Sequence, residues 1–389
     1  MPQAPSDTLS RRHAAIRYRL TALGLDALVV TSMPNVLYLT NFTGSSAIVV
    51  LTADRLLFVT DFRYVAAIDR TRGTAAECPA LEIERVDSSY DETLAALLDS
   101  LPGARVGFEA RHLTVGRHQW LEASLRKRSR VSLVPTDGVV EAARVTKDAF
   151  EIAILREGAI RLSHVARQVL QAVRRGQTER EVAAAIDDRL RGGGFEKPAF
   201  DTIVASGPNG ALPHAQPGER KLTEGDLVVL DFGGVYASYC VDLTRTVSIG
   251  ASAPRAREVY AAVLEAHDLA IAAVAPGRSR FDIDAAARDA LKRRGLAEAF
   301  GHGTGHGLGI DVHEDPRITR RRAETPVSAV KSETEGEHRG DQVSPGMVFT
   351  IEPGAYIPGW GGVRIEDDVL VTDAGVDVLT NVTTELLEI

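Results

Sequence analysis

The sequence is poor in several features, and each shortage excludes a class of protein. Only two cysteines occur among 389 residues, Cys78 and Cys240, so no disulfide is expected and a reducing cytoplasm fits. No apolar run approaches the roughly 20 residues that cross a bilayer, which argues against a membrane protein. The polar N-terminus leads into a helix and lacks the apolar core of a secretory signal.

Positive charge is also in short supply. Lys and Arg number 45 against 53 Asp and Glu, which gives a formal net charge of −8. This balance argues against nucleic acid as a partner and favours an ordinary cytosolic enzyme. No nucleotide-binding glycine pattern and no tandem repeat is present. A length of 389 residues with 44% hydrophobic content favours two globular domains.

The first third of the chain alternates between helical and strand-like patterns, which predicts an α/β domain. A turn at Pro34-Asn35 separates two of its strands, and the turn sequence at residues 135–138 is the best boundary. The predicted domains are therefore residues 1–137 and 138–389. Helices are predicted at 8–23, 64–69, 90–101 and 114–126, and strands at 27–31, 47–51, 55–60 and 105–109.

The second domain carries helical patterns and strands around a stretch rich in glycine and histidine at residues 301–314. Thr178 and Glu181 form a capping-box pattern at the start of one helix. Helices are predicted at 147–174, 178–191, 254–275 and 281–294, and strands at 199–206, 347–352 and 363–371.

Residues 227–247 predict a hairpin with chemical significance. Residues 227–230 form a buried strand, Asp231 follows it, Gly233 and Gly234 begin a turn, and the returning strand carries Asp242. Two aspartates side by side in an apolar setting would repel each other unless a cation lay between them. The hairpin therefore predicts a metal site.

Other acids and imidazoles at strand ends or among glycines extend this set. The candidates are Asp231, Asp242, His306, Glu352 and Glu366. Four carboxylates and one imidazole form an oxygen-rich ligand set. Such a set suits Mn²⁺ or Co²⁺ better than it suits zinc of the thiolate-bound type. Their charge suits two cations about 3.5–4 Å apart, with a bridging water as the nucleophile. Taken singly, each residue is more often a turn, cap or loop residue, and no Ser-His-Asp or Cys-His arrangement competes.

These residues and their contexts resemble the ligand set of the M24 "pita-bread" metallopeptidases. The contexts are Leu-Asp-Phe-Gly, Asp-Leu-Thr-Arg-Thr, Gly-Thr-Gly-His-Gly-Leu-Gly, Thr-Ile-Glu-Pro-Gly and Gly-Val-Arg-Ile-Glu-Asp. Residues 35–44 and 60–64 resemble, more loosely, the creatinase/prolidase N-terminal domain. The resemblance implies an N-terminal creatinase/prolidase-like α/β domain and a C-terminal pita-bread α+β catalytic domain. It is strongest to the Xaa-Pro aminopeptidase and Xaa-Pro dipeptidase (prolidase) branch.

The resemblance also implies roles for further residues. His214 would hold the leaving group, and His313 would contact the substrate and shuttle protons or stabilise the oxyanion. His302 would line the proline pocket, which Tyr356 would close. Arg364 would bind or buttress the carbonyl or carboxylate of the substrate. Either Glu352 or Glu366 would hold the bridging water and act as general base.

The resulting expectation is a dinuclear-metal exopeptidase that cleaves the X-Pro bond of proline-containing peptides. The sequence slightly favours the Xaa-Pro aminopeptidase, with the prolidase restricted to dipeptides as the alternative. A non-catalytic pita-bread module is disfavoured because no ligand is missing. The expected cofactors are two divalent ions, Mn²⁺ or Co²⁺, with Zn²⁺ as a further option. The resemblance implies a homodimer, and the composition implies a cytoplasmic location.

One segment departs from the family pattern. Residues 317–342, between His313 and Glu352, hold more charged residues than the shorter connection of the family. A disordered solvent loop is the simpler interpretation. A lid that limits substrate length is the alternative hypothesis.

Overall fold

The computed structural model describes residues 2–101, 103–126, 130–321 and 339–389. The described residues form two units that divide between Arg144 and Val145. The predicted boundary at residue 137 lies one short helix earlier. Within the described ranges, no helix is both long and apolar enough to cross a membrane.

The first unit is built on one mixed sheet. Its strands are β1 (Ala27–Val30), β2 (Ile48–Thr52), β3 (Leu56–Thr60), β4 (Leu81–Arg85), β5 (Arg105–Glu109) and β6 (Ser132–Thr136). Their spatial order is β4-β3-β2-β1-β5-β6, with β1, β2 and β3 antiparallel and the outer pairs parallel. The helices are α1 (Ser6–Ala22), α2 (Met33–Thr40), α3 (Phe62–Asp69), α4 (Tyr90–Asp99), α5 (Val115–Leu125) and α6 (Glu141–Arg144). The alternation predicted for this α/β region is confirmed.

The turn predicted at Pro34-Asn35 is wrong, because these residues open helix α2. Pro34 lies in the first turn of the helix, where its missing N–H has no intrahelical partner to lose. The carboxylate of Glu109 accepts hydrogen bonds from the backbone N–H groups of Thr31 and Ser32, at 2.7 and 2.8 Å. A buried anion thus lies at the N-terminus of α2, where the helix dipole favours negative charge.

The second unit combines two helix pairs with two sheets and a hairpin, an α+β arrangement. Its helices are α7 (Ala149–Ala172), α8 (Glu179–Gly192), α9 (Pro254–Ala272) and α10 (Arg280–Arg293). Its strands are β7 (Lys197–Pro198), β8 (Ile203–Ser206), β9 (Leu227–Tyr236), β10 (Tyr239–Ser248), β11 (Gly305–Gly307), β12 (Glu314–Ile318), β13 (Val348–Ile351), β14 (Gly354–Ile357), β15 (Gly361–Arg364), β16 (Asp367–Thr372) and β17 (Gly375–Val378).

Each helix pair covers one sheet of the second unit. Helices α7 and α8 pack on β9 and β10, and α9 and α10 pack on β13 and β16 through a second apolar cluster. The first sheet has the order β10-β9-β7 with β8 also paired to β9, and the second has the order β12-β11-β13-β16-β17. A bridge between Thr244 and Glu366 joins the two sheets. The capping box of Thr178 and Glu181 is confirmed at the start of α8.

The charged segment at residues 317–342 is described only at its ends. Residues 322–338, on which the lid hypothesis chiefly rests, lie outside the described residues. On the described flanks, the side chains of Arg280 and Arg321 pair with the carboxylate of Asp341 at 3.3 and 3.2 Å. These pairs hold the two ends of the segment at the start of helix α10.

Candidate metal centre

The β9–β10 hairpin is longer than predicted. The turn predicted at Gly233-Gly234 is wrong, because both glycines lie inside β9 and the chain reverses at Ala237 and Ser238. These two residues have φ angles of 48° and 67°, the left-handed conformation of a type I′ turn. Each strand therefore runs for ten residues, and Asp231 lies in the middle of a strand instead of at its end.

The hairpin places its two aspartates on one face. Asp231 pairs with Thr244, and Asp242 pairs with Gly233. Because cross-strand partners share a face and side chains alternate, the aspartates are diagonal neighbours on that face. Both side chains are buried, with relative exposures of 8% and 4%.

Three ligand candidates converge closely. One ligand atom each from Asp242, His306 and Glu366 lies within 4.8 Å of the other two. They come from β10, β11 and the residue before β16, and all three are buried. The His306 Nδ1 atom lies 3.1 Å from the carbonyl oxygen of Gly307. Because a carbonyl only accepts, Nδ1 carries the proton and Nε2 keeps the lone pair that a metal needs.

The other two candidates flank this cluster. Glu352 directly follows β13, and its Oε1 lies 3.7 Å from the Nε2 atom of His306. Asp231 is turned towards Arg364, whose Nη2 donates to its Oδ2. The Oδ1 atoms of Asp231 and Asp242 are buried without a hydrogen-bond partner among the described residues. All five predicted residues thus meet in one place, although the carboxylate of Asp231 is shared with Arg364.

The carboxylates of this cluster repel one another and are only partly compensated by Arg364. Burial, followed by repulsion from Asp231 and from Asp242 respectively, raises the pKa values of Asp242 and Glu366 well above their usual range. Burial also raises the pKa of Glu352 to about 8, against a partial opposing effect of Arg364. Burial lowers the pKa of His306 to about 3, so its imidazole is neutral at pH 7. Orphaned carboxylate oxygens, mutual repulsion and a neutral imidazole fit divalent cations.

A hydrogen-bonded triad borders the cluster. The Nε2 atom of His302 lies 2.8 Å from the hydroxyl of Tyr356, which also accepts from Nη1 of Arg364 at 2.7 Å. Burial lowers the pKa of His302 to about 4 and raises the pKa of Tyr356 to about 12. Arg364 is 4% exposed and also donates to the Thr244 hydroxyl and the Pro213 carbonyl. Its guanidinium is thus largely engaged by protein oxygens.

His214 and His313 are exposed and line the same cavity, which has a volume of about 670 Å³. The ring of His313 lies 4.4 Å from the ring of His306 in an edge-on arrangement. Burial, and then the positive charge of Arg317, lowers the pKa of His313. Both histidines can therefore reach a molecule in the cavity, and His313 is neutral at pH 7.

Supporting residues for which the sequence predicted no role surround the cluster. The Thr244 hydroxyl donates to Glu366 Oε2 at 2.6 Å, and the Asp368 carboxylate accepts from the backbone N–H of Asp242 at 3.0 Å. Arg245 donates to the carbonyl oxygen of Glu366 at 2.6 Å. The sequence feature that could have identified these residues is their position, since each lies within three residues of a predicted ligand. Such supporting hydrogen bonds orient metal ligands.

The fold and this donor set define a metal-dependent hydrolytic centre, and comparison with known proteins agrees. Residues 153–373 match the model of metallopeptidase family M24, and residues 12–146 match the creatinase/prolidase N-terminal domain. An Xaa-Pro dipeptidase of Pyrococcus furiosus is 39% identical over 251 residues, covering 64% of this chain and 67% of that protein.

Two solved structures resemble the whole chain. An Xaa-Pro dipeptidase from Bacillus anthracis has a TM-score of 0.87 at 34% identity, covering 98% of this chain and all of that one. An X-Pro aminopeptidase from Thermotoga maritima has a TM-score of 0.82 at 30% identity, covering 95% of this chain and all of that one.

The chain belongs to metallopeptidase family M24 and carries the creatinase/prolidase N-terminal domain. It is a metal-dependent peptidase, as the sequence predicted.

Proposed function

We propose that this peptidase is an Xaa-Pro dipeptidase (prolidase) that works with two divalent ions, Mn²⁺ or Co²⁺, with Zn²⁺ as a further option. The observation that carries the proposal is the convergence of Asp242, His306 and Glu366, with Glu352 and Asp231 beside them, in one cavity. Two relatives named Xaa-Pro dipeptidases support the dipeptidase form over the aminopeptidase that the sequence slightly favoured.

The chemistry of an X-Pro bond explains what the site must provide. Its nitrogen belongs to a tertiary amide and has no N–H, so hydrolysis requires a polarised carbonyl and a proton for the leaving nitrogen. Divalent ions, when bound by the five ligands, supply Lewis acidity and lower the pKa of water. The residues of the chain then have to orient the peptide and move protons.

Three residues are proposed to move protons. The Glu352 carboxylate lies among the ligands and would take a proton as general base. His313 is neutral at pH 7, so one ring nitrogen can accept a proton and the other can donate one. His214 is exposed in the same cavity and would deliver a proton to the proline nitrogen. This division of roles follows the family resemblance and the shared cavity.

The triad of His302, Tyr356 and Arg364 is proposed to recognise proline. The neutral ring of His302 packs edge-on against Phe300 at 5.1 Å and lies 5.4 Å from the ring of Tyr356. His302 lines the cavity and would offer its ring to a pyrrolidine ring, while the buried rings of Phe300 and Tyr356 pack against it. Because Arg364 already donates to four protein oxygens, it would act mainly as a buttress.

The aminopeptidase form is the second candidate, supported by the structural similarity to the X-Pro aminopeptidase. The deciding experiment adds Mn²⁺, Co²⁺ or Zn²⁺ to metal-stripped protein and compares Ala-Pro with Ala-Pro-Ala. Hydrolysis of Ala-Pro alone is expected. Efficient cleavage of the tripeptide would replace the dipeptidase by the aminopeptidase, and no cleavage of either would overturn both.

A cytoplasmic location is supported by Cys78 and Cys240, which are both free and buried. A homodimer stays a prediction from the family resemblance. Gel filtration with light scattering would test it, with twice the chain mass as the expected result and a monomer as the contrary one.

A further inference from the structure

A bulge in the first sheet of the second unit shapes one wall of the cavity. Pro198 pairs with Gly234, and Ile203 pairs with Asp231. Residues 199–202, which connect β7 to β8, therefore lie opposite residues 232–233 of β9, so the bulged side has two extra residues to place. Such bulges re-aim side chains and are common next to active sites.

The sequence fixes the bulge at both ends. A side chain on Gly233 would place its Cβ 2.4 Å from the carbonyl oxygen of Val241 and 2.8 Å from the ring of Phe200, so only glycine fits between β10 and that ring. At the other end, the Thr202 hydroxyl donates to Asp187 of helix α8 at 2.6 Å. The side chain of Thr202 is thus held in the protein interior, at 6% exposure. Asp201, between these two anchored residues, is exposed.

Asp201 is a charged residue of the cavity with no assigned task. Phe200, Asp201, Thr202 and Ile203 all line it, together with the proposed ligands. Among the described residues, the Asp201 carboxylate has neither a hydrogen-bond donor nor a basic partner within 4 Å. An exposed carboxylate beside an aromatic ring suits a long cationic side chain, whose hydrocarbon stem packs on the ring.

The depth of Asp201 decides which part of a substrate it meets. Asp231, Asp242 and Glu366 are 8%, 4% and 2% exposed and form the floor of the cavity, whereas Asp201 is at its solvent side. The scissile carbonyl and the neighbouring α-amine belong at the floor. A flexible side chain on the residue before proline extends from there towards solvent.

We propose that Asp201 selects a cationic side chain on the residue that precedes proline, so that Lys-Pro and Arg-Pro are favoured substrates. This inference rests on the proposed Xaa-Pro activity. Arg317, on β12, is an exposed residue of opposite charge in the same cavity. Its charge acts on His306 and His313, which places it on the wall formed by β11 and β12. The two charges therefore belong to different walls.

The test compares kcat/KM for Lys-Pro with that for Met-Pro, which has a linear uncharged side chain of similar length, and with Glu-Pro. The protein is expected to prefer Lys-Pro over Met-Pro by about fivefold at low salt, the size of one partly solvated ion pair. High salt should reduce this preference. Asp201→Asn should remove the preference, and Asp201→Lys should shift it towards Glu-Pro.

Asp289→Asn is the matched control, because it removes one exposed negative charge on helix α10 away from the cavity. This variant should leave kcat/KM for all three substrates, and the ratios between them, unchanged. A Lys-Pro to Met-Pro ratio near one in the unmodified protein, or the same ratio in Asp201→Asn, would overturn the inference. An equal loss on all substrates in Asp201→Asn would instead assign Asp201 to the α-amine and also overturn it. No hydrolysis of any Xaa-Pro dipeptide would overturn the proposed function together with the inference.

Discussion

Glu366 and Asp367 are neighbours in the chain and are equally buried, at 2% exposure, yet their carboxylates have opposite electrostatic environments. Burial and repulsion from Asp242 raise the pKa of Glu366 well above its usual range. Burial acts on Asp367 in the same direction, but Arg245 and His267 outweigh it and lower its pKa. Arg245 lies 2.8 Å and His267 3.0 Å from the Asp367 carboxylate.

This difference separates a carboxylate whose charge is satisfied within the fold from one that is proposed to bind a metal ion. The protein supplies Asp367 with a cation and hydrogen bonds, so its charge is satisfied within the fold. Asp242 and Glu366 have carboxylate neighbours in place of a cation. Uncompensated buried charge costs stability and persists mainly where function uses it. The predictions below test this contrast.

The largest expected effect comes from Asp242→Asn, which removes a proposed ligand. We expect kcat/KM to fall by about a thousandfold or more, because the metal ions are bound more weakly and in an altered position. The metal-free variant should be at least as stable as the metal-free parent, since a buried carboxyl whose ionisation its neighbours oppose is replaced by a neutral amide. Peptide hydrolysis and urea unfolding measure the two quantities. Retained activity together with a lower free energy of unfolding would contradict the assignment of Asp242 as a ligand.

Asp367→Asn, in contrast to Asp242→Asn, should lower the stability of the protein. Removing the charge leaves the guanidinium of Arg245 buried without its anion, at an expected cost of about 3 kcal/mol in the free energy of unfolding. Urea denaturation measures the loss. Asp373→Asn, an exposed position on the turn after the same strand, is the matched control and should stay within about 0.5 kcal/mol of the parent. Equal stability of both variants would show that Asp367 is not a structural partner.

The pH dependence of the metal-free protein should reveal the uncompensated acids. Folding raises the pKa of Glu352 from 4.5 to about 8, so its contribution to stability is present at low pH and is lost as the pH rises through 8. Between pH 6.5 and 8 the loss should be about 1–2 kcal/mol. Denaturation at several pH values measures this slope. Glu352→Gln should flatten it, and an unchanged slope in that variant would contradict the assignment.

His302 and His306 should have the opposite effect on the pH dependence of stability, at acid pH. Folding lowers the pKa values of His302 and His306 from 6.5 to about 4 and about 3. Their contribution is therefore present above pH 6.5 and is lost as the pH falls towards 3. Because the raised pKa values of Asp242, Glu352 and Glu366 act in the opposite direction, the stability maximum of the metal-free protein should lie at or below pH 6.5. A maximum above pH 8 would contradict both sets of shifts.

The smallest expected effect concerns a second compensated carboxylate. Asp284 on α10 pairs with Arg288 and accepts from the backbone N–H and the hydroxyl of Thr304, at 3.1 and 2.8 Å. The carbonyl of Thr304 in turn accepts from the backbone N–H of Glu352 at 2.7 Å. Asp284→Asn should lower kcat/KM by about fivefold by loosening Glu352, at a stability cost of about 1–2 kcal/mol.

Steady-state kinetics with a metal titration would separate positioning by Asp284 from a purely structural role. Weaker metal binding in Asp284→Asn, at a temperature where the variant is fully folded, supports positioning. Asp289→Asn, on the same helix but exposed, should change neither quantity. Lower stability with unchanged metal affinity and kcat/KM would reduce Asp284 to a structural residue.

The sequence was most informative where a local motif carries the chemistry. The ligand candidates lie in short contexts such as Gly-Thr-Gly-His-Gly-Leu-Gly, and the hairpin requires only alternation to place Asp231 and Asp242 on one face. The roles of the site residues beyond this geometry stay predictions. The alternation of helices and strands in the first unit was predictable for the same local reason.

The failures have a physical cause beyond local sequence. Gly233 and Gly234 looked like a turn, but a Cβ at either position would clash, with the Val241 carbonyl and Phe200 at Gly233 and with Phe195 at Gly234. The true turn uses Ala237 and Ser238 in a conformation that such residues rarely adopt. The pairing of Arg245 with Asp367 joins residues 122 positions apart, so no local pattern could show it.

The most direct test of the contrast is calorimetric titration of metal-stripped protein with Mn²⁺ and Co²⁺ in buffers of different ionisation enthalpy. We expect about two ions per chain, proton release on binding and a higher unfolding temperature, because the cations replace protons on the raised-pKa carboxylates. For Asp242→Asn we also expect proton release and a higher unfolding temperature on binding, but with fewer ions bound per chain. No binding and no thermal stabilisation by either ion would show that these carboxylates are not a metal centre.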